Sequence, residues 1–133
     1  MDKTEAITGY RWLNAETNCS HEYLLPTVFA IIEGLNLKGS DRQVFDLGCG
    51  NGSVAACLSD RGYDVTGTDP SAEGIQQAKL THPSSKVYQG SAYDDLAGQY
   101  GQFPVVISLE VVEHVYFPRK YAACVFSLLS RGG

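Results

Sequence analysis

Three glycines at alternate positions, Gly48, Gly50 and Gly52, follow an apolar run and an acid in Val44-Phe45-Asp46-Leu47-Gly48-Cys49-Gly50-Asn51-Gly52-Ser53. Glycines so spaced bend the chain sharply and let a ligand approach bare backbone; the bland alternative is an ordinary tight turn between a strand and a helix. Asp69 lies 21 residues after Gly48. In a β-α-β unit that spacing places its carboxylate at the tip of the adjacent strand, where it can accept two hydrogen bonds from a ribose diol. The same side chain could instead cap a helix starting near Ser71. Farther along, Glu110, Glu113 and His114 gather oxygen and nitrogen donors on one turn. Near the start stand Tyr10 and Trp12, whose rings could pack on a cationic or planar aromatic ligand, or could simply pin an N-terminal arm to the domain.

The elements that must position these residues follow from periodicity. Ser20 is a candidate cap for a helix carrying Leu24, Val28, Ile31, Ile32 and Leu35, with Pro26 near its first turn and His21 at its start. Val44 to Leu47 reads as a strand, and Ser53 to Leu58 as a helix that closes at Gly62, a C-cap glycine. Tyr63 to Asp69 is a second strand. Pro70 and Ser71 open a helix through Ile75, Ala78 and Leu80 that stops before Pro83. Lys86 to Gln89 is a short third strand, followed by a loop from Gly90 to Asp95 in which Asp94 and Asp95 read as a solvated turn. Phe103 to Leu109 is nearly continuous in apolar residues, as suits a strand buried on both faces of a parallel sheet, with Pro104 at its beginning. Pro118 begins a last helix with Tyr121, Val125, Leu128 and Leu129 on its buried face.

The dinucleotide fingerprint G-x-G-x-x-G fits poorly, because its third position falls on Ser53. The run Asp46-Leu47-Gly48-Cys49-Gly50-Asn51-Gly52 instead resembles the first motif of class I S-adenosylmethionine (SAM)-dependent methyltransferases, E/D-x-G-x-G-x-G. The block Leu109-Glu110-Val111-Val112-Glu113-His114-Val115 is similar to the signature of methyltransferases related to the ubiquinone-biosynthesis O-methyltransferases. Gly90 and the residues after it resemble the third motif, and Leu128-Leu129-Ser130-Arg131-Gly132-Gly133 resembles the turn that leads into the family's fifth strand.

The resemblance implies an α/β, Rossmann-like SAM-methyltransferase fold with a parallel sheet ordered 3-2-1-4. The last three strands of the family's seven have no counterpart here. Residues 1–19 would form an N-terminal arm or lid, and residues 20–133 the SAM-binding half of the domain. Cofactor contacts are implied at Tyr10 and Trp12 on the lid, and at Asp46, Gly48, Cys49, Gly50 and Asn51 along the glycine loop. Asp69, Pro70 and Ser71 follow the second strand, and Ser91 and Ala92 would border the adenine, largely through backbone groups. Leu109 and Glu110 would lie along the methionine part of SAM, with His114 approaching the transferring methyl, where it could act as a general base. No catalytic residue is assigned. Glu110, Glu113 and His114 could also hold a divalent ion, as in relatives that methylate small RNAs. Those use a further downstream histidine, and none follows His114, so no metal is assigned.

Composition sets the remaining bounds. At 133 residues, 44% hydrophobic and 19% charged, the chain suits one soluble globular domain. A net charge of −5 without any Lys/Arg cluster argues against a nucleic-acid surface. No apolar run approaches the roughly 20 residues that span a bilayer, and the N-terminus lacks a signal-peptide pattern. Cys19, Cys49, Cys57 and Cys124 show no C-x-x-C spacing and read as reduced thiols of a cytoplasmic protein. The expected function is methyl transfer from SAM to a small-molecule acceptor, at oxygen. The alternative is a SAM-binding module without catalysis in this form. A fourth strand left as an apolar edge would favour self-association, by edge pairing or segment exchange.

Overall fold

The computed structural model describes residues 23–133. Tyr10 and Trp12, the whole expected arm, Ser20 and His21 lie outside the described residues. Helix α1 (Leu25–Gly34) starts with Pro26 in its first turn. Then β1 (Gln43–Leu47), α2 (Ser53–Asp60), β2 (Asp64–Asp69), α3 (Ala72–Thr81) and β3 (Lys86–Gln89) alternate, followed by α4 (Leu96–Tyr100), β4 (Val105–Ile107) and α5 (Pro118–Leu128).

The strands form one sheet in the order β3-β2-β1-β4, as expected. All pairings are parallel: Val44 faces Val65 on one side and Val105 on the other, and Gly67 faces Val87. Alternation along β1 sends its side chains into two cores. Val44 joins Ile32, Val54, Leu58, Val65, Ile75 and Val87, beneath α1, α2 and α3. Phe45 and Leu47 join Leu96, Phe103, Cys124 and Leu128, beneath α4 and α5. Helices thus cover both faces of the sheet, and β1 lies in its interior, buried from Val44 to Leu47.

Local chemistry explains the helix ends. The Ser71 hydroxyl accepts the Gly74 N–H at 3.0 Å and caps α3. Gly62, with φ +90°, follows α2 as the expected C-cap glycine. Arg42 donates to the carbonyls of Arg61 (2.9 Å) and Gly62 (3.2 Å), just past the end of α2, and to that of Leu37 (3.3 Å), after α1.

Four expectations are corrected. The fourth strand is confined to Val105–Ile107, and its residues are half-buried rather than buried on both faces, because no described residue pairs with its outer edge along that stretch. Phe103 instead makes a parallel bridge to Leu129 just after α5. The stretch after β3 is not all loop, since Asp95 accepts the Gly98 N–H at 3.1 Å and caps the short helix α4. Ile31 and Leu35, expected on the covered face of α1, are exposed, while Ile32 carries the packing. The cysteines among the described residues, Cys49, Cys57 and Cys124, are free thiols.

Candidate functional site

The carboxyl ends of β1, β2 and β3 meet around the glycine loop. Gly48, Gly50 and Gly52 all have positive φ (85°, 55° and 78°). At Gly48 a β-carbon would also collide with a methyl of Val111, which packs down on the loop from beyond β4. The loop is held from the β2 side, where the Thr68 carbonyl accepts both the Gly48 and Cys49 N–H groups, at 2.8 and 2.9 Å. Asn51 is buried, and its side-chain oxygen accepts the Ser53 N–H at 3.2 Å at the start of α2. Beneath the loop runs Gly67, where an added β-carbon would lie 2.9 Å from that of Cys49.

Asp69 stands at the tip of β2, where the sequence spacing puts it. One carboxylate oxygen accepts the Gly50 N–H and the other the Ser71 N–H, each at 2.9 Å. Each oxygen keeps a second lone pair for another donor. Partial burial raises the Asp69 pKa, and the two N–H groups oppose that rise. Asp69 thus ties the glycine loop to the start of the next helix, and the cap of α3, one of the two roles expected for it, falls to Ser71 instead. Pro70 is exposed beside it, its carbonyl accepting from Gln89 at 3.2 Å.

Asp46 is a different kind of acid. It lies inside β1 at 2% exposure, and its Oδ2 has no hydrogen-bond partner among the described residues. Burial, and next the charge of Asp69, push its carboxyl up to about 7. The same two causes, burial before the charges of Asp46 and Asp69, raise the Cys49 thiol well above its ordinary value.

The loop after β3 is drawn to the same end. The Gly90 N–H donates to the Asp69 carbonyl at 3.0 Å. The Ser91 N–H donates to the Asp94 carboxylate at 2.8 Å, and the Ser91 hydroxyl accepts the Tyr93 N–H at 3.1 Å. Ala92 packs on the second core. Asp94 and Asp95 thus shape this loop rather than merely face solvent.

Beyond β4, Leu109 packs against the first core, and Glu110 adopts a left-handed backbone (φ 57°) unusual for a non-glycine residue. Its carboxylate accepts the Tyr23 hydroxyl at 2.7 Å. That hydrogen bond raises the Tyr23 phenol above its ordinary value. His114 sits on a turn (Val112–His114) with its side chain 74% exposed and 3.6 Å from Glu113. Among the described residues no three acidic, histidine or cysteine side chains are arranged to hold a metal.

Reading the sequence alone missed several of the residues that build this end of the sheet: Thr68, Gly67, Val111, Ser108 and Tyr121. The Ser108 hydroxyl donates to the Leu47 carbonyl at 2.8 Å and accepts from the Tyr121 hydroxyl at 2.6 Å. An open groove of about 410 Å³ lies at the opposite, amino end of the sheet, near Lys38, Arg42, Arg61 and Tyr63. Arg42 there serves backbone carbonyls, and Arg61 pairs with Glu33 at 2.8 Å. Two helices also end there, and their carbonyl dipoles disfavour an anion.

Comparison with known proteins bears on the carboxyl-end site. Residues 45–133 match the family described as "Methyltransferase domain". The chain is 30% identical to a "Ubiquinone biosynthesis O-methyltransferase" of Bordetella avium, a match that takes in 100% of this chain and 57% of that protein. It is 37% identical to the protein of the same name in Psychrobacter arcticus, over 69% of this chain and 38% of that one. Among solved structures, the magnesium protoporphyrin IX methyltransferase of Synechocystis PCC 6803 with bound SAM superposes with a TM-score of 0.68 at 20% identity, over 96% of this chain and 64% of that one. The chain therefore spans little more than half the length, or less, of these curated relatives.

Proposed function

The chain belongs to the methyltransferase-domain family, the class I SAM-dependent methyltransferases, and on that premise we propose that it binds SAM at the carboxyl ends of β1, β2 and β3 for methyl transfer to an oxygen of a small-molecule acceptor. The observation that carries the binding site is Asp69 at the tip of β2, joined to the glycine loop through the Gly50 N–H at 2.9 Å. Its remaining lone pairs suit a ribose diol. The glycine loop offers bare backbone beside it, and Asp46 offers a buried carboxylate oxygen without a partner, suited to the cationic part of the ligand. Ser91 and Ala92 border the same end, and Leu109 and Glu110 flank it beyond β4.

When bound, SAM supplies a methyl group on a positively charged sulfur, an activated donor. The chain's own residues then have chiefly to bind and align, the one acid-base event being loss of the acceptor hydroxyl's proton. Asp69 orients, the glycine loop admits the ligand to the backbone, and Asp46 favours positive charge. Transfer to oxygen is supported by the names of the curated relatives. A cytoplasmic setting is supported by the free thiols.

Calorimetric titration with SAM and with S-adenosylhomocysteine tests the reading, comparing the chain with Asp69→Ala. Binding that weakens at least about tenfold in the variant is expected, since hydrogen bonds to a charged group are worth about 1.5–3 kcal/mol. Equal binding by both proteins would remove Asp69 from the site. Binding with no methyl transfer to any hydroxyl-bearing small molecule would count against the enzymatic reading.

A further inference from the structure

The backbone pairing of β1 with β4 ends at Asp46 and Ile107. At the next step side chains take over. Leu47, the residue that delivers the chain into the glycine loop, has its carbonyl held by the Ser108 hydroxyl at 2.8 Å, and Ser108 in turn accepts from Tyr121 at 2.6 Å. A serine hydroxyl rotates freely and has one proton to give. Donation from Tyr121 occupies a lone pair of Ser108, so the serine proton is left to face Leu47. Such chained donors strengthen one another. Tyr121 is fixed in its turn by its helix, since α5 buries Cys124 and Leu128 in the second core.

We propose that Tyr121 is a positioning residue for the cofactor loop, acting through Ser108 on the Leu47 carbonyl and so setting the direction in which Gly48 to Gly50 leave β1. Thr68 holds the loop from the β2 side, and the tyrosine-serine relay is its counterpart on the β4 side. The relay couples α5, which lies outside the sheet, to the backbone that meets the ligand. Its functional meaning rests on the reading of this loop as the cofactor cradle.

The test has a ligand-free arm and a ligand arm. Tyr121→Phe keeps the ring and removes the hydroxyl. Amide hydrogen exchange in the ligand-free protein is expected to accelerate about fivefold at Gly48, Cys49 and Gly50, the effect of one net hydrogen bond, while amides of β3 and α3 keep their rates. Ser108→Ala should reproduce this, the double variant should be no worse than either single one, and Ser108→Thr, which retains a hydroxyl, should restore the loop. S-adenosylhomocysteine affinity is expected to fall by the same factor in the variants that lose the relay. Unchanged loop exchange, acceleration spread evenly over the chain, or additive single effects would overturn the proposal. If the unaltered chain binds no cofactor, the functional reading fails, and the exchange arm still decides whether the relay positions the loop.

Discussion

Replacing Asp46 by Asn should make the protein more stable at neutral and alkaline pH than at acid pH, relative to the original chain. Asp46 is buried in β1 beside the charge of Asp69, and both causes raise its carboxyl from 3.8 to about 7. Because the folded state holds this proton more tightly than the unfolded one, the associated stability is complete below about pH 4 and is lost as pH rises toward 7. The rise is about three pH units, which at about 1.4 kcal/mol per unit amounts to about 4 kcal/mol. That is a large fraction of the roughly 5–15 kcal/mol by which domains of this kind are stable. An asparagine carries no such titration. Urea unfolding of both proteins, followed by circular dichroism from about pH 4 to about pH 8, isolates the contribution, because the other titrating groups cancel in the difference. The stability of Asp46→Asn minus that of the original chain should climb by about 4 kcal/mol across that interval, whatever constant offset the amide adds. A difference that stays level with pH would refute the idea that this carboxylate is desolvated and uncompensated.

Two further outcomes follow from packing and from the open edge. Gly67→Ala should destabilise by about 1–3 kcal/mol in thermal or urea unfolding, as overpacking does, because the new β-carbon would meet Cys49 at 2.9 Å and the Asp46 carbonyl at 3.3 Å; an unchanged midpoint would show that the loop yields freely. No described residue pairs with the outer edge of β4, and if that edge seeks a partner, sedimentation velocity should reveal species above the monomer that grow with concentration, whereas a single monomeric species throughout would count against it.

The chemistry-bearing turn was legible because it is local. A strand, alternating glycines and a helix occupy neighbouring positions, and Asp69 is reached by a fixed count through one β-α-β unit. The sheet order followed from the family resemblance those local motifs carry. What escaped was decided by partners distant in sequence or by too little chain. Helix α4 has five residues, less than two turns, with Gly98 inside it, so no apolar period could announce it. Ile31 and Ile32 are equally apolar, and only the placement of α1 against the sheet chooses which is covered. Phe103 to Leu109 reads as one strand by composition. Yet the bridge from Phe103 to Leu129 and the left-handed Glu110 bound its extended part. Tyr121 appears in the sequence only as an apolar-face residue of a helix, because nothing local says that its hydroxyl meets Ser108.

The order of strands in the sheet has a consequence for how the molecule assembles. Gln43 pairs with Asp64 and Thr66 with Lys86, separations of 21 and 20 residues, while Val44 meets Val105 across 61. Closing the longer loop costs about 1 kcal/mol more in chain entropy, so the three strands β1, β2 and β3 can form a nucleus to which β4 is added late. Ser108 and Tyr121 arrive with β4 and the helix after it. On that order the glycine loop, though written early in the chain, would be finished by residues among the last to dock, and local opening that frees β4 would slacken the loop while most of the sheet stayed intact.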